Sequence, residues 1–175
     1  MAYLLDYIKS RWAPKGSVVT AGVPPEQRVD QVPVTPDLIA RHLAGAPSLP
    51  QNDTARSMLY AALSDPLFIQ TGPRPLAQQL IAGGLDAELE ILVKWLTVIT
   101  LEVTRQMYID AARHREGAVG IRLFPIASEP QAEIAALCTA DSYGLGAGIY
   151  PFNAVPANPT PGQTCGFYIR VVLED

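Results

Sequence analysis

Residues 85–115, LDAELEILVKWLTVITLEVTRQMYIDAARHR, decide the fold of this sequence because they form a long segment without glycine or proline. Apolar side chains recur there at alternating steps of four and three residues, which places them on one stripe of an α-helix. The stripe consists of Leu85, Leu89, Leu92, Leu96, Ile99 and Val103, and a second apolar face beside it consists of Ile91, Trp95 and Val98. The pattern predicts a single long helix that is buried from several sides.

The length of this helix sets a further expectation. About 30 residues at ~1.5 Å each extend for ~45 Å, whereas a compact chain of this size is roughly 40 Å across. The helix should therefore cross the whole domain or project from it. In either case, one apolar end of the helix is expected to need a partner that covers it.

The sequence before the long helix predicts further helices and an extended arm. Apolar residues spaced along one side favour an amphipathic helix at 2–12, and prolines interrupt the valine-rich segment 16–34, which is therefore expected to be extended. A hydroxyl residue, a proline and an acid then follow in the order Thr35, Pro36, Asp37, which is typical of a helix start. Two more short helices are expected before the long one.

The sequence after Gly117 changes to the period of β-strands. Apolar and polar residues alternate at 118–126 and again at 165–174, so both segments are predicted strands. Ser128 and the residues after it resemble a capping box that opens a short helix. Many glycines and prolines at 141–164 predict an irregular excursion between this helix and the last strand.

Together these patterns predict an α/β fold of the α+β type. It is a helix-rich single domain whose long central helix, at about 85–115, packs on a small C-terminal sheet and whose N-terminal arm is rich in proline. Within the single domain 1–175, we expect an N-terminal helix and extended arm at 1–34, a helical part at 35–116 and a strand-helix-loop-strand part at 117–175.

Composition limits the classes of function. The chain has 175 residues, of which 49% are hydrophobic and only 17% are charged, against roughly 25% charged in an average soluble domain. Scarce charge favours a protein whose surface is partly covered by other molecules. A net charge of −4 with scattered basic residues disfavours binding to nucleic acids or to anionic membrane surfaces.

The sequence also bears on location. No apolar stretch reaches the ~20 residues that a membrane-spanning helix needs, and the first residues lack the pattern of a secretory signal. The two cysteines, Cys138 and Cys165, are then expected to be reduced thiols in the core. We expect a cytoplasmic protein that contacts no membrane, or a virion component if a phage encodes it.

No motif in the sequence demands chemistry. The glycine-rich stretch 144–148 superficially resembles a phosphate-binding loop, but Ile149-Tyr-Pro follows it and cannot open the helix that such a loop requires. His42 and His114 are the only histidines, and neither has a ligand partner at the spacing of a metal site. We therefore predict no catalytic residues, no metal and no cofactor, in a protein that is not an enzyme.

The leading functional hypothesis is a non-enzymatic structural or assembly subunit. It would belong to an oligomer or to a large particle such as a phage capsid, tail or neck, and its partners would be copies of itself or other subunits. Aromatic side chains often dominate the energetics of interfaces. The candidate interface residues are Trp95 on the long helix and Tyr143, Tyr150 and Phe152 in the irregular excursion.

Two alternatives belong to other classes. The first is an adaptor or protein-binding module that uses the loop at 141–164 and its aromatic residues to dock on one specific protein. The second is a small enzyme or ligand-binding protein with a pocket between the long helix and the C-terminal sheet. Such a pocket would be lined by residues such as His114, Arg122 or Asp141.

Overall fold

This computed structural model describes residues 34–65 and 67–174, which fall within the unit Gln31–Asp175. The amphipathic helix and the extended arm expected at 1–34 lie outside the described residues, apart from Val34, which is buried. The helical part and the strand-helix-loop-strand part that the sequence predicts can both be followed in the described residues.

Most of the helices precede the sheet along the chain. The helices are α1 (Pro36–Ala44), α2 (Asp53–Ser64), α3 (Phe68–Thr71), α4 (Pro73–Ala82), α5 (Leu89–Arg113) and α6 (Ala132–Thr139). The strands are β1 (Ala118–Pro125), β2 (Ile149–Tyr150) and β3 (Phe167–Leu173), and they form one antiparallel sheet in the order β2-β1-β3. This architecture confirms the predicted fold class, in which a long helix packs against a small C-terminal sheet.

The first two helices begin where the sequence places a cap. The Thr35 hydroxyl accepts a hydrogen bond from the Leu38 N–H at 3.1 Å, and Pro36 occupies the first turn of α1. The Asn52 side chain accepts from the Ala55 N–H at 2.8 Å and thereby caps α2. Both side chains satisfy main-chain donors that would otherwise lack a partner at a helix start.

The long helix α5 is shorter than predicted, because it begins at Leu89 and ends at Arg113, a length of 25 residues. The preceding residues terminate α4 instead. Gly84, with φ +100°, donates to the Ile81 carbonyl, and Leu85 donates to the Leu80 carbonyl. This pair of hydrogen bonds is a Schellman motif, in which an apolar residue after the glycine packs back on its own helix. Leu85, which is buried, is that residue.

The surface of α5 carries no large exposed apolar side chain. The exposed positions along the helix are Glu90, Lys94, Ala111 and Arg113, and the others are buried or half-buried. At ~1.5 Å per residue, α5 is about 37 Å long. The expectation that an apolar end of this helix needs a partner is therefore wrong, because the helix is shorter and its apolar residues lie against the rest of the chain.

Residues of α5 belong to two hydrophobic cores. Leu92, Leu96, Ile99 and Val103 pack in the first core with the buried residues of α1, α2 and α4. Ile109 and Ala112, near the other end of α5, pack in the second core with the inner face of the sheet and with α6. The helix thus connects the helical part to the sheet through a single run of side chains, and it fixes where the opposite, outer face of the sheet points.

The irregular segment 156–163 is fastened to the end of α1 by a close approach of two backbones. A β-carbon at Gly45 would collide with the Pro161 carbonyl, and one at Gly162 would collide with the Gly45 carbonyl. The buried Asn158 closes this segment, because its amide donates to the Gln163 carbonyl at 2.8 Å and its side-chain oxygen accepts from the Thr160 N–H at 3.0 Å. Glycine is required at both contacting positions.

Replacing Gly162 with alanine should destabilise the protein more than the same change at Gly144. Both glycines have positive φ, 78° and 69°, which costs a residue with a β-carbon about 1 kcal/mol. Nothing lies within 4 Å of the β-carbon position at Gly144, whereas at Gly162 the collision with Gly45 adds overpacking strain. We expect the free energy of unfolding to fall by about 3 kcal/mol or more for Gly162→Ala.

Urea unfolding of the two variants measures this difference, with Gly144→Ala as the matched control for positive φ. Equal losses of stability in the two variants would contradict a tight backbone contact between residues 45 and 162.

Candidate functional site

The outer face of the sheet brings together two arginines and two aromatic residues. In the register of β1 and β3, Arg122 lies opposite Arg170, and Phe124 lies opposite Tyr168. Side chains alternate between the two faces of a strand, so these four share the face opposite the buried Ile121, Leu123, Phe167 and Ile169. The arginines are exposed and the aromatic rings are half-buried. We refer to Arg122, Phe124, Tyr168 and Arg170 as the arginine–aromatic face.

Stacking holds the members of this face in a fixed arrangement. The rings of Phe124 and Tyr168 are stacked, with centroids 5.1 Å apart and planes 13° from parallel. The guanidinium carbon of Arg170 lies 5.3 Å from the Phe124 centroid, and that of Arg122 lies 5.5 Å from it. The two exposed guanidinium groups supply N–H donors at this face.

The charges of this face are unusual for a sheet. Arg122 and Arg170 are the only lysine or arginine residues in the last 60 residues of the sequence, 116–175, and they lie directly opposite each other. Like charges at opposite positions on adjacent strands are destabilising. Among residues 34–65 and 67–174, no carboxylate lies within ion-pair distance of either arginine. Cation–π contacts offset part of this repulsion, and an anionic partner would remove the rest.

A second polar group lies in the interior, where α1, α5 and the segment 156–163 meet. His42 is fully buried, and its Nδ1 accepts from the Gly162 N–H at 3.1 Å. The buried Glu102 carboxylate accepts from the Arg105 guanidinium at 2.7 Å and lies 3.8 Å from that of Arg41. Arg105 also donates to the Pro156 carbonyl at 3.2 Å. These contacts tie the segment 156–163 to both helices.

The environment of His42 keeps its imidazole neutral. Burial lowers the pKa of His42 below its usual 6.5, and the nearby Arg41 and Arg105 lower it further, while Glu102 acts in the opposite direction. Because Nδ1 is the acceptor, the proton of the neutral ring lies on Nε2. Nε2 and the Nε of Arg105 are buried atoms that have no hydrogen-bond partner among the described residues. The contacts of this cluster fit a structural role.

The structure separates the aromatic residues that the sequence selected as an interface. Trp95 and Tyr150 are buried, 2% and 5% exposed. The Trp95 indole donates to the His42 carbonyl at 3.2 Å, and the Tyr150 hydroxyl donates to the Leu137 carbonyl at 2.9 Å. Both are therefore core residues of this chain. Phe152 is half-buried against the sheet core, and Tyr143 alone of the four is exposed, with its ring edge-on to Tyr150 at 5.8 Å.

The residues selected for a pocket are also apart. His114 is exposed at the C-terminal cap of α5, Arg122 belongs to the arginine–aromatic face, and the exposed Asp141 accepts from the Gly146 N–H at 3.0 Å. The space between α5 and the inner face of the sheet is filled by buried side chains such as Ile109 and Ile169. The predicted pocket is therefore not present between these two elements.

Two shallow grooves lie elsewhere on the described surface. One, of about 330 Å³, lies between α2 and α4 and is lined mainly by apolar residues, among them Met58 and Leu80. The other, of about 270 Å³, lies beside the start of α6 and has a mixed lining that includes Ile134, Glu129 and Gln163. No group of three metal-binding side chains occurs in the part of the chain that the structure describes.

The two thiols are poor nucleophiles. Burial raises the pKa of Cys138 and of Cys165 above the usual value, so that both side chains hold their protons. Both cysteines are free.

Within the described ranges, none of the helices is long and apolar enough to cross a bilayer.

Sequence reasoning missed the arginine–aromatic face. A signal was available in the order Arg122-Leu-Phe124 on one predicted strand and Tyr168-Ile-Arg170 on the other. The two triplets are mirror images, and antiparallel pairing places like residues opposite each other in one register. The register itself could not be read from the strands, because a long and irregular connection separates them.

Protonation of His42 should destabilise the fold in mildly acidic solution. Because the pKa of His42 is lower in the folded chain than in the unfolded chain, the unfolded state binds the proton more readily. The contribution of His42 to the free energy of unfolding should therefore be constant above about pH 6.5 and fall as the pH decreases from there toward the folded-state pKa.

Chemical denaturation between about pH 5.5 and 7.5 measures this dependence. His42→Asn keeps a side-chain oxygen that can accept from Gly162 and removes the titration, so its stability should change less over this range. His114→Asn removes the only other histidine and should retain the pH dependence of the unmodified chain. An unchanged pH dependence in His42→Asn would contradict this account.

Comparison with known proteins supplies no analogy for these sites. No family model matches the chain, and neither a curated protein nor a solved structure matches it. The chemistry of the chain's own surface is therefore what bears on its function.

Proposed function

We propose that this protein is a non-enzymatic assembly subunit that associates with copies of itself through the arginine–aromatic face. The observation that carries the proposal is the direct opposition of Arg122 and Arg170 without a described carboxylate beside either. The opposition of these two like charges does not stabilise the folded chain, since like charges repel. The same arrangement favours association, because one anionic partner can contact both guanidinium groups.

The residue types of this face support a protein partner. Arginine and tyrosine are enriched among the residues that dominate binding energy at protein interfaces, and stacked rings lose little conformational entropy when they bind. Two exposed apolar side chains lie at the ends of the same strands, Ile126 just after β1 and Leu173 at the end of β3. A low fraction of charged residues, 17%, agrees with a chain whose surface is partly covered by neighbours.

The proposed assembly is an oligomer of this chain or a larger particle that contains it. Such a subunit would function in the cytoplasm, or in a virion if a phage encodes it. A sheet whose inner face packs on α5 suits this role, since an interface that needs no rearrangement loses less free energy on association.

The loop at 141–164 supports a second candidate function, an adaptor for one specific protein. Tyr143 and Leu145 are 49% and 39% exposed, and Tyr143 is oriented by its contact with Tyr150. These two side chains lack the paired charges of the arginine–aromatic face. We therefore rank the adaptor role second.

The proposal predicts that the full chain is larger than a monomer in solution. Size-exclusion chromatography with light scattering should give masses that are multiples of 18.9 kDa and that rise with concentration. Arg122→Ala/Arg170→Ala should weaken the association at least about 10-fold, because the two guanidinium groups are lost from the interface. Circular dichroism should show that the double variant keeps the fold, since both arginines are exposed.

Tyr143→Ala/Leu145→Ala serves as the matched control, because it removes exposed side chains from the other candidate surface. An assembly that depends on these two residues and not on the arginines would favour the adaptor surface. A monodisperse species of 18.9 kDa at every concentration would contradict the proposal.

A further inference from the structure

We infer that the arginine–aromatic face of one copy binds the carboxylates of Asp86 and Glu88 of a second copy. This inference rests on the proposed self-association and names the surface that each copy offers to the next. A guanidinium group binds a carboxylate through two parallel hydrogen bonds. Arg122 and Arg170 therefore fit a pair of neighbouring carboxylates better than any single charge.

Asp86 and Glu88 are such a pair. They flank Ala87 in the short connection between α4 and α5, and both are exposed, while Leu85 is buried beneath them. Neither acid has an ion-pair partner among the residues that the structure describes. The next acid differs, because both carboxylate oxygens of Glu90 accept from Arg74 at 2.8 Å. The two free acids are thus the part of this acidic segment that remains for a partner.

The spacing of the two pairs is compatible. Ile126 donates to the Gly166 carbonyl, and counting back along both strands by steps of two makes Arg122 and Arg170 a hydrogen-bonded pair. The Cα atoms of such a pair are about 5.5 Å apart. Residues two apart in a non-helical connection, such as Asp86 and Glu88, have Cα atoms at most about 7 Å apart. Rotation of the exposed Asp86 and Glu88 side chains would cover the remaining difference.

The two surfaces of one copy cannot bind each other. Asp86 and Glu88 immediately precede the start of α5, whereas the sheet packs on the other end of that helix, around Ile109 and Ala112. The length of α5, about 37 Å at 1.5 Å per residue, separates the two ends. Contact between the acids and the arginine–aromatic face therefore requires two copies.

This contact joins two different surfaces, so each copy that has bound one neighbour still offers a second surface. That surface can bind the same neighbour in a two-fold dimer, or a third copy in a closed ring or an open chain. Charge pairing at an exposed surface is also screened by salt within about 10 Å at 0.1 M. The assembly should hence dissociate as the ionic strength rises.

Charge exchange in the full-length protein tests the inference by light scattering. Arg122→Glu/Arg170→Glu places acids opposite the acids of the next copy, and Asp86→Lys/Glu88→Lys places bases opposite the arginines. Each double variant alone should associate at least about 10-fold more weakly than the unmodified chain, because both contacts become repulsive. All the changed residues are exposed, and circular dichroism should show that both variants keep the fold.

Mixing supplies the specific readout. An equimolar mixture of the two double variants should recover the mass of the unmodified assembly, since every contact between unlike variants is again attractive. A chain that carries all four substitutions should likewise associate with itself. Glu129→Lys/Glu133→Lys, two exposed acids near the start of α6, is the matched control and should leave the assembly intact.

Three results would overturn the inference. If the unmodified chain assembles and neither double variant weakens it, the contact lies elsewhere and only the inference fails. If reversal of the arginines dissociates the assembly while reversal of Asp86 and Glu88 does not, another acidic surface is the partner and the inference fails. If the unmodified chain itself is a monomer, the proposed self-association fails and the inference falls with it.

Discussion

The rest of the structure depends on one helix that contributes to two cores. Leu96 and Ile99 of α5 pack among the other helices, and Ile109 and Ala112 of the same helix pack under the sheet. Between these two groups α5 carries Glu102 and Arg105, whose buried ion pair holds the segment 156–163. Any change in the path of α5 would move both cores and this segment together. The inner face of the sheet is packed on α5 in this way.

Charge is scarce in this chain, and the structure uses it in two different ways. In the interior, His42 is kept neutral and the carboxylate of Glu102 is neutralised by Arg105. Buried groups of this kind add little net stability, but the loss of one partner leaves an expensive unpaired charge or donor. At the surface, Arg122 and Arg170 face each other without such compensation. A charge arrangement that folding does not need is the feature that points toward binding.

Local patterns in the sequence predicted much of the fold, and the failures have physical causes. The helix start at Thr35 and the alternation in both long strands predicted elements that the structure confirms. Leu85 was assigned to the long helix because its spacing fits the stripe, but a glycine with positive φ makes it part of the preceding helix end. Trp95 was assigned to an interface because size alone does not distinguish an interface residue from a core residue.

The candidate site needed the register of two strands separated by a long connection, which local patterns do not contain. Association of the chain through surface charge is tested by sedimentation velocity of the unmodified chain at about 0.05 M and about 0.5 M salt. Species of two or more copies should be present at low salt, with a shift toward the 18.9 kDa monomer at high salt. A single monomeric species at both ionic strengths, or an assembly that grows as salt is added, would contradict it.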